Sequence, residues 1–165
     1  MYLSRRELYD LGFSKVGKNL KISDQCSFYQ ISGSIGDNVR IDDFCILKGQ
    51  IEIGSFVHVA AYCSISGAWA PVTIGDYVTL SNRVSVFTGS DDFRADGLSG
   101  TAVEYKNLIV GPVIIGFSSL VGAHSVLLPH SFLPAASAIL AMSVIHRKSV
   151  IKTRNAEKIR AQVPS

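Results

Sequence analysis

The chain has 165 residues, 47% hydrophobic and 18% charged, enough for one domain with a real core and too apolar for disorder. Its formal net charge of +3 favours anionic ligands without pointing to nucleic acid. It contains no apolar run of the roughly 18 residues that a membrane helix needs, and Met1-Tyr2-Leu3-Ser4-Arg5-Arg6 lacks the apolar stretch of a secretion signal, so a cytoplasmic protein is expected.

Ser4-Arg5-Arg6-Glu7 has the spacing of a capping box, and Gly12 is placed to stop a short helix. A helix over 4–11 is expected, inside an N-terminal segment 1–12 that caps whatever follows. Residues 13–34 read as irregular coils, with Ile22 in phase and Phe28 to Gly33 interrupting it. From Ile35 an aliphatic residue returns every six positions: Ile35, Ile41, Leu47, Ile53, Val59, Ile65. The frame slips at Ala68-Trp69-Ala70-Pro71 and resumes at Ile74, Leu80 and Val86. It runs again through Ile115, Val121, Leu127, Leu133, Ile139 and Ile145, with serines four positions on at Ser119, Ser125, Ser131, Ser137 and Ser143. Neither a helix nor an ordinary strand has period six. One large apolar and one small residue per six is the mark of a hexapeptide β-helix, three hexads making a triangular turn of eighteen residues.

Glycine follows the aliphatic at Gly36, Gly54, Gly75, Gly116 and Gly122, as suits a corner where a side chain would collide or φ must turn positive. The three cysteines, Cys26, Cys45 and Cys63, occupy the position of the later serines. They read as small core residues in a reducing compartment rather than as a metal or disulfide set. Residues 89–112 leave the repeat in a stretch rich in glycine and acid, and a long excursion from a regular solenoid is more often functional than decorative. Residues 113–150 return to coil, and 151–165 form a polar, basic tail. The expected whole is a single all-β domain over 1–165.

The residues that carry this pattern resemble the left-handed parallel β-helix, hexapeptide-repeat acyltransferases, most closely the sugar acetyltransferases of bacterial surface-polysaccharide synthesis. The resemblance covers about residues 13–150. It rests on Val121-Gly122-Ala123-His124-Ser125-Val126-Leu127-Leu128-Pro129-His130, on the more eroded Leu140-Ala141-Met142-Ser143-Val144-Ile145-His146-Arg147, and on Phe87-Thr88-Gly89-Ser90-Asp91-Asp92-Phe93. A subgroup that this chain resembles also shares Ile53-Gly54-Ser55-Phe56-Val57-His58-Val59-Ala60-Ala61-Tyr62. The resemblance implies a homotrimer with active sites between subunits, acetyl-CoA as co-substrate, no metal, and a sugar or nucleotide-sugar acceptor, in lipopolysaccharide O-antigen or capsule synthesis. Many members carry a catalytic histidine where this chain has Ser90-Asp91-Asp92, so the usual base is missing from its usual place.

Acetyl transfer from a thioester needs a base for the acceptor proton and donors for the oxyanion. Among the four histidines, His58 is the first candidate for base; closing a hexad, it is expected at a corner beside the small Ala60 and Ala61. Asp91 and Asp92 are the next, since adjacent carboxylates repel and one can hold its proton longer. His124, expected mid-face, reads as a base or a CoA-groove residue; His130 as a tolerated outward residue; His146 as a phosphate neighbour. Tyr62, Ser81, Asn82, Arg83, Ser90, Phe93 and Tyr105 are candidates for sugar or phosphate contacts. Gly122, Ala123, His124, Ala141, Ser143, Arg147, Lys148 and Lys152 are candidates for CoA, the cations with Arg154 meeting its phosphates. Two other readings stand beside this one. A zinc carbonic anhydrase of the same fold needs three clustered histidines, and His124 and His130 sit on consecutive faces. A non-catalytic scaffold fits the missing histidine and the eroded second motif.

Overall fold

All fifteen aliphatic residues of the six-residue phase are buried, none more than 7% exposed. In the computed structural model, which describes residues 1–92, 94, 107–147, 149, 151 and 153, they form the axis of a parallel β-solenoid. Its first face stacks β2 (Lys21–Ile22), β4 (Arg40–Ile41), β6 (His58–Val59), β8 (Thr79–Leu80), β13 (Leu120–Val121) and β16 (Ala138–Ile139). The second face holds the leading halves of β3 (Ser27–Ile35), β5 (Ile46–Ile53) and β7 (Ser64–Ile74). It continues with β9 (Ser85–Phe87), β14 (Val126–Leu127) and β17 (Val144–Ile145). The third face holds β1 (Phe13–Val16), the trailing halves of β3, β5 and β7, then β12 (Val113–Ile115) and β15 (Phe132–Leu133).

Register explains both slips of the sequence frame. Ile35 pairs with Ile53, eighteen residues on. Ile53 pairs with Ile74, twenty-one on, so Ala68-Trp69-Ala70-Pro71 adds three residues to one turn. Leu80 pairs with Val121, forty-one on, so residues between β9 and β12 add twenty-three more. The phase is the same on both sides because inserted residues leave at one edge and the chain returns to the next rung. Residues 13–34 are paired coil with the irregularity expected of them: Val16 pairs with Ile35 and Ile22 with Ile41, nineteen residues on rather than eighteen, and the register shifts between Tyr29 and Ser32. The helix is α1 (Arg5–Asp10), with the capping box formed reciprocally between Ser4 and Glu7, and Leu8 seals the first end of the core.

Small residues inside the tube are tied to the next rung. Cys45 Sγ donates to the Ala60 carbonyl at 3.2 Å, Cys63 Sγ to that of Ser81 at 3.2 Å, Ser125 Oγ to that of Leu140 at 3.0 Å. Such bonds satisfy hydroxyls that would otherwise cost free energy in an apolar interior. The cysteines are free, as core residues should be, and contact with Cys45 together with burial pushes the Cys26 thiol well above its ordinary range.

The corners differ from expectation. Among the described residues thirteen other than glycine have positive φ, and all but Gln30 sit three positions after an aliphatic. One edge carries Asn38, Phe56, Tyr77, Ser118 and Ala136; another carries Phe44, Tyr62, Arg83, His124 and Met142. Each left-handed residue costs on the order of 1 kcal/mol, offset by the amide bond it makes to the previous coil, as from Tyr62 to Asp43 at 3.1 Å. The glycines that follow the aliphatics serve the close approach expected of them and not positive φ: a Cβ on Gly122 would lie 2.4 Å from the Ala141 nitrogen.

Candidate active site

The edge between the first and second faces gathers residues that are far apart in sequence. Phe44, Tyr62, Arg83, His124 and Met142 form its column, joined rung to rung by amides: Arg83 to Ala61 O at 3.1 Å, His124 to Asn82 O at 3.0 Å, Met142 to Ala123 O at 2.8 Å. Rings order the early part. Phe44 and Tyr62 pack at 5.0 Å between centroids, and the Arg83 guanidinium lies 5.1 Å from the Tyr62 ring centre, a cation–π contact. Tyr62, Arg83 and His124 thus share one edge. His124 is an exposed corner residue, not the mid-face residue expected. Beside it, Gly122 and Ala123 stack directly on Leu140 and Ala141, and Ser143 gives its hydroxyl to the Leu140 carbonyl at 2.7 Å. Gly122, Ala123, Ala141 and Ser143 thus form a narrow, partly exposed strip of small residues.

His58 corrects the same expectation from the other side. It stands on the flat first face in β6, between Arg40 of β4 and Thr79 of β8, because the corner falls three residues after the aliphatic rather than one before it. Its Nε2 lies 2.8 Å from Asp42 Oδ2, and Arg40 Nε donates to Asp42 Oδ1 at 2.6 Å. Burial alone would raise the Asp42 carboxyl; the hydrogen bonds from His58 and Arg40 outweigh it and hold Asp42 below its ordinary value of 3.8. With Asp42 ionised, Nε2 is the donor and Nδ1 is the ring atom left to accept a proton.

The excursion leaves from the edge between the second and third faces, so Asp91 lies on a different side of the tube from His58. Its root is an antiparallel pair, β10 (Gly89–Asp91) with β11 (Leu108–Val110). Asp92 closes this hairpin. It receives Arg94 Nε and Nη2 at 2.8 and 2.9 Å and Asn107 Nδ2 at 3.3 Å, while its amide donates to the Asn107 carbonyl at 2.8 Å. The Arg94 guanidinium, with its own amide and Asn107 adding, holds the Asp92 carboxyl below its ordinary value. Asp92 is therefore anchored, and the repulsion expected between the two carboxyls is met there by a cation. Ser90 and Asp91 stand in β10, both half-buried. Behind them the Trp69 indole packs against Gly89.

Phe93, Tyr105, Lys148, Lys152 and Arg154 fall outside the described residues; Arg147 is exposed at the end of the second face. Of the four histidines, His130 is an outward corner residue resting on Gly111, and His146 is exposed. Among the described residues no three of His, Cys, Asp and Glu gather as a metal site, and no helix is long and apolar enough to cross a membrane. Sequence reasoning passed over Arg40, Asp42 and Trp69. The first two were within reach: Ile41 and Val59 pair across coils, which brings the residue after one beside the residue before the other.

No family model matches the chain. It is 42% identical, over an alignment covering 73% of this chain, to the dTDP-4-amino-4,6-dideoxy-D-glucose acyltransferase of Escherichia coli, and that alignment spans 66% of the relative's length. Its structure superimposes on AntD, an N-acyltransferase from Bacillus cereus, in a variant bound to dTDP and coenzyme A, with a TM-score of 0.83 and 33% identity over 98% of this chain and 95% of that one. A second AntD variant, bound to dTDP-4-amino-4,6-dideoxyglucose and coenzyme A, gives a TM-score of 0.85 at 32% identity over the same shares.

Proposed function

The chain belongs to the left-handed β-helix sugar acyltransferases, and on that premise we propose that it moves an acyl group, acetyl first among candidates, from acyl-CoA to the amine of a dTDP-linked amino sugar. The observation that carries this reading is the joint one that the E. coli relative is named for that substrate and the full-length structural match holds the same nucleotide sugar together with coenzyme A. An amine acceptor is favoured over a hydroxyl, and a nucleotide-linked sugar over a free one. CoA esters and nucleotide sugars are cytoplasmic metabolites, and an N-acylated dTDP-sugar suits surface-polysaccharide assembly, lipopolysaccharide or capsule.

In the step, the sugar amine attacks the thioester carbonyl, a C–N bond forms, the C–S bond breaks and CoA leaves as its thiol. One proton must leave the attacking nitrogen. We assign its acceptor to Asp91. The solved AntD variants alter a serine and an aspartate ten positions apart, and Asp91 stands ten positions after Ser81, which lies at the edge beside Arg83. His58, the first expectation, already has one ring nitrogen on Asp42 and lies on another face. A homotrimer in which the Asp91 edge of one subunit meets the Tyr62–Arg83–His124 edge of the next would put base, acceptor and CoA in one cleft. Gly122, Ala123, Ala141 and Ser143 then offer the backbone strip for pantetheine, with Arg147, Lys148 and Lys152 for the phosphates, and Tyr62, Ser90, Phe93, Arg83 and Tyr105 for the sugar side.

The test is free-thiol release from acetyl-CoA with dTDP-4-amino-4,6-dideoxyglucose, the free amino sugar and the 4-hydroxy nucleotide sugar as acceptors. Release that requires the nucleotide-linked amine supports the reading. Binding of CoA and dTDP-sugar without release from any short acyl-CoA would favour the scaffold.

A further inference from the structure

We propose that the groove above Trp69 is a nucleobase-stacking site that takes the pyrimidine of the acceptor nucleotide. This rests on the nucleotide-sugar reading above and assigns one end of that substrate to one edge of the tube. Three successive coils depart from regular register at this edge. Between Tyr29 and Ser32 the strand β3 bulges; in β5, Gln50 alone faces the four residues Ala68-Trp69-Ala70-Pro71 of β7. The next coil opens there into the excursion. Irregularity that accumulates at one edge of a solenoid marks a binding face rather than packing noise.

The indole is built to stay in place. The Trp69 and Ala70 amides both donate to Thr88 Oγ1 at 3.3 Å, and that fully buried hydroxyl donates onward to the Ser66 carbonyl at 2.9 Å. Beneath the ring lies Gly89, where a Cβ would come 2.3 Å from Trp69 Cδ1. A backbone without a side chain is the floor on which the ring rests. The ring is nevertheless 61% exposed, and it borders an open groove of ≈ 330 Å³ lined with Gln30, Ser32 and Gln50. An aromatic face pinned from below and open above stacks flat rings. The two carboxamides each carry a donor and an acceptor, which matches the imide edge of a thymine or uracil, where N–H lies between two carbonyls. The strip proposed for CoA, at Gly122 and Ala141, lies on later coils than Trp69, at a different height along the tube, which points the site to the acceptor's base rather than to adenine.

The chain has a single tryptophan, so its fluorescence reports on this groove alone. In the wild-type protein as it assembles, dTDP is expected to change Trp69 emission saturably, with the same Kd that calorimetry gives, and CoA to leave it unchanged. Trp69→Ala is expected to weaken dTDP binding about 10-fold, as loss of one stacked base does, with the Kd for CoA held within about twofold; Trp69→Phe should recover most of the loss. Calorimetric binding of dTDP with a silent indole overturns this site and leaves the functional reading standing. A response to CoA in place of dTDP also overturns it. If dTDP does not bind at all, the functional reading falls and this site with it.

Discussion

Asp42 joins side chains of two neighbouring coils, with His58 Nε2 at 2.8 Å and Arg40 Nε at 2.6 Å. This is a cross-rung clamp on a face whose strands are only two residues long. Both partners favour the ionised carboxyl, so Asp42 titrates below its ordinary 3.8 in the folded chain. A depressed carboxyl contributes stability above its unfolded value and loses it as pH falls through the folded one. Asp42→Asn should therefore lower the denaturation midpoint at neutral pH, and the difference from wild type should shrink as pH falls below about 3.8 and vanish below the lowered folded value. A gap that stays constant on acidification would show that the clamp works by shape, not charge.

The base assignment separates Asp91 from His58. Asp91→Asn should reduce kcat/KM by roughly 10²-fold or more, the usual scale for a general base, with the Kd for dTDP little changed. His58→Ala should cost under about tenfold, since its ring is a structural partner of Asp42 in this assignment. Steady-state kinetics of the two variants decide it. The reverse order would return the proton to His58 Nδ1 and leave Asp91 as a hairpin residue.

How far the sequence reached follows from what period six encodes. It encodes which residue points inward, so Ile35 through Ile145 were placed correctly, and the breaks at Ala68 and after Val86 were visible as slips in phase. It does not encode which of the other five positions turns the corner. In this chain those turns are made by Phe44, Tyr62, Arg83 and His124 rather than by glycine, and nothing in such side chains announces a left-handed backbone. His58 and His124 were therefore exchanged between corner and face. The glycines after the aliphatics stand where a side chain would collide, as expected, but the left-handed turns lie at other positions. Trp69 read only as part of a frame slip, because its seat on Gly89 lies in the following coil.

The excursion has its own tether. Asp92 binds Arg94 through two nitrogens and reaches Asn107 across the hairpin. Asp92→Asn keeps the size and loses the charge that Arg94 pairs with. Hydrogen exchange should then speed at Gly89–Asp91 and Leu108–Val110 while β8 and β13 keep their protection. Because the Asp92 carboxyl is held below 3.8, the wild-type hairpin should loosen in the same way as pH falls through that lowered value. Unchanged exchange in the variant would show that backbone pairing holds the hairpin unaided.

Gly122 tests how tightly the rungs must approach at the strip assigned to pantetheine. A Cβ there would lie 2.4 Å from the Ala141 nitrogen and 2.6 Å from the Leu140 carbonyl carbon. Both are backbone atoms of the next coil, held by the Gly122 amide bond to Ile139 O at 2.9 Å, so no rotamer change relieves the clash. Gly122→Ala should destabilise by about 1–3 kcal/mol, the range for overpacking a close contact, read from urea unfolding at constant m-value. The same shift of two coils displaces the backbone that CoA would meet, so the Kd for CoA should rise while dTDP binding at the other edge holds. Loss of both affinities together would mean that the variant disturbs the whole tube and not this strip.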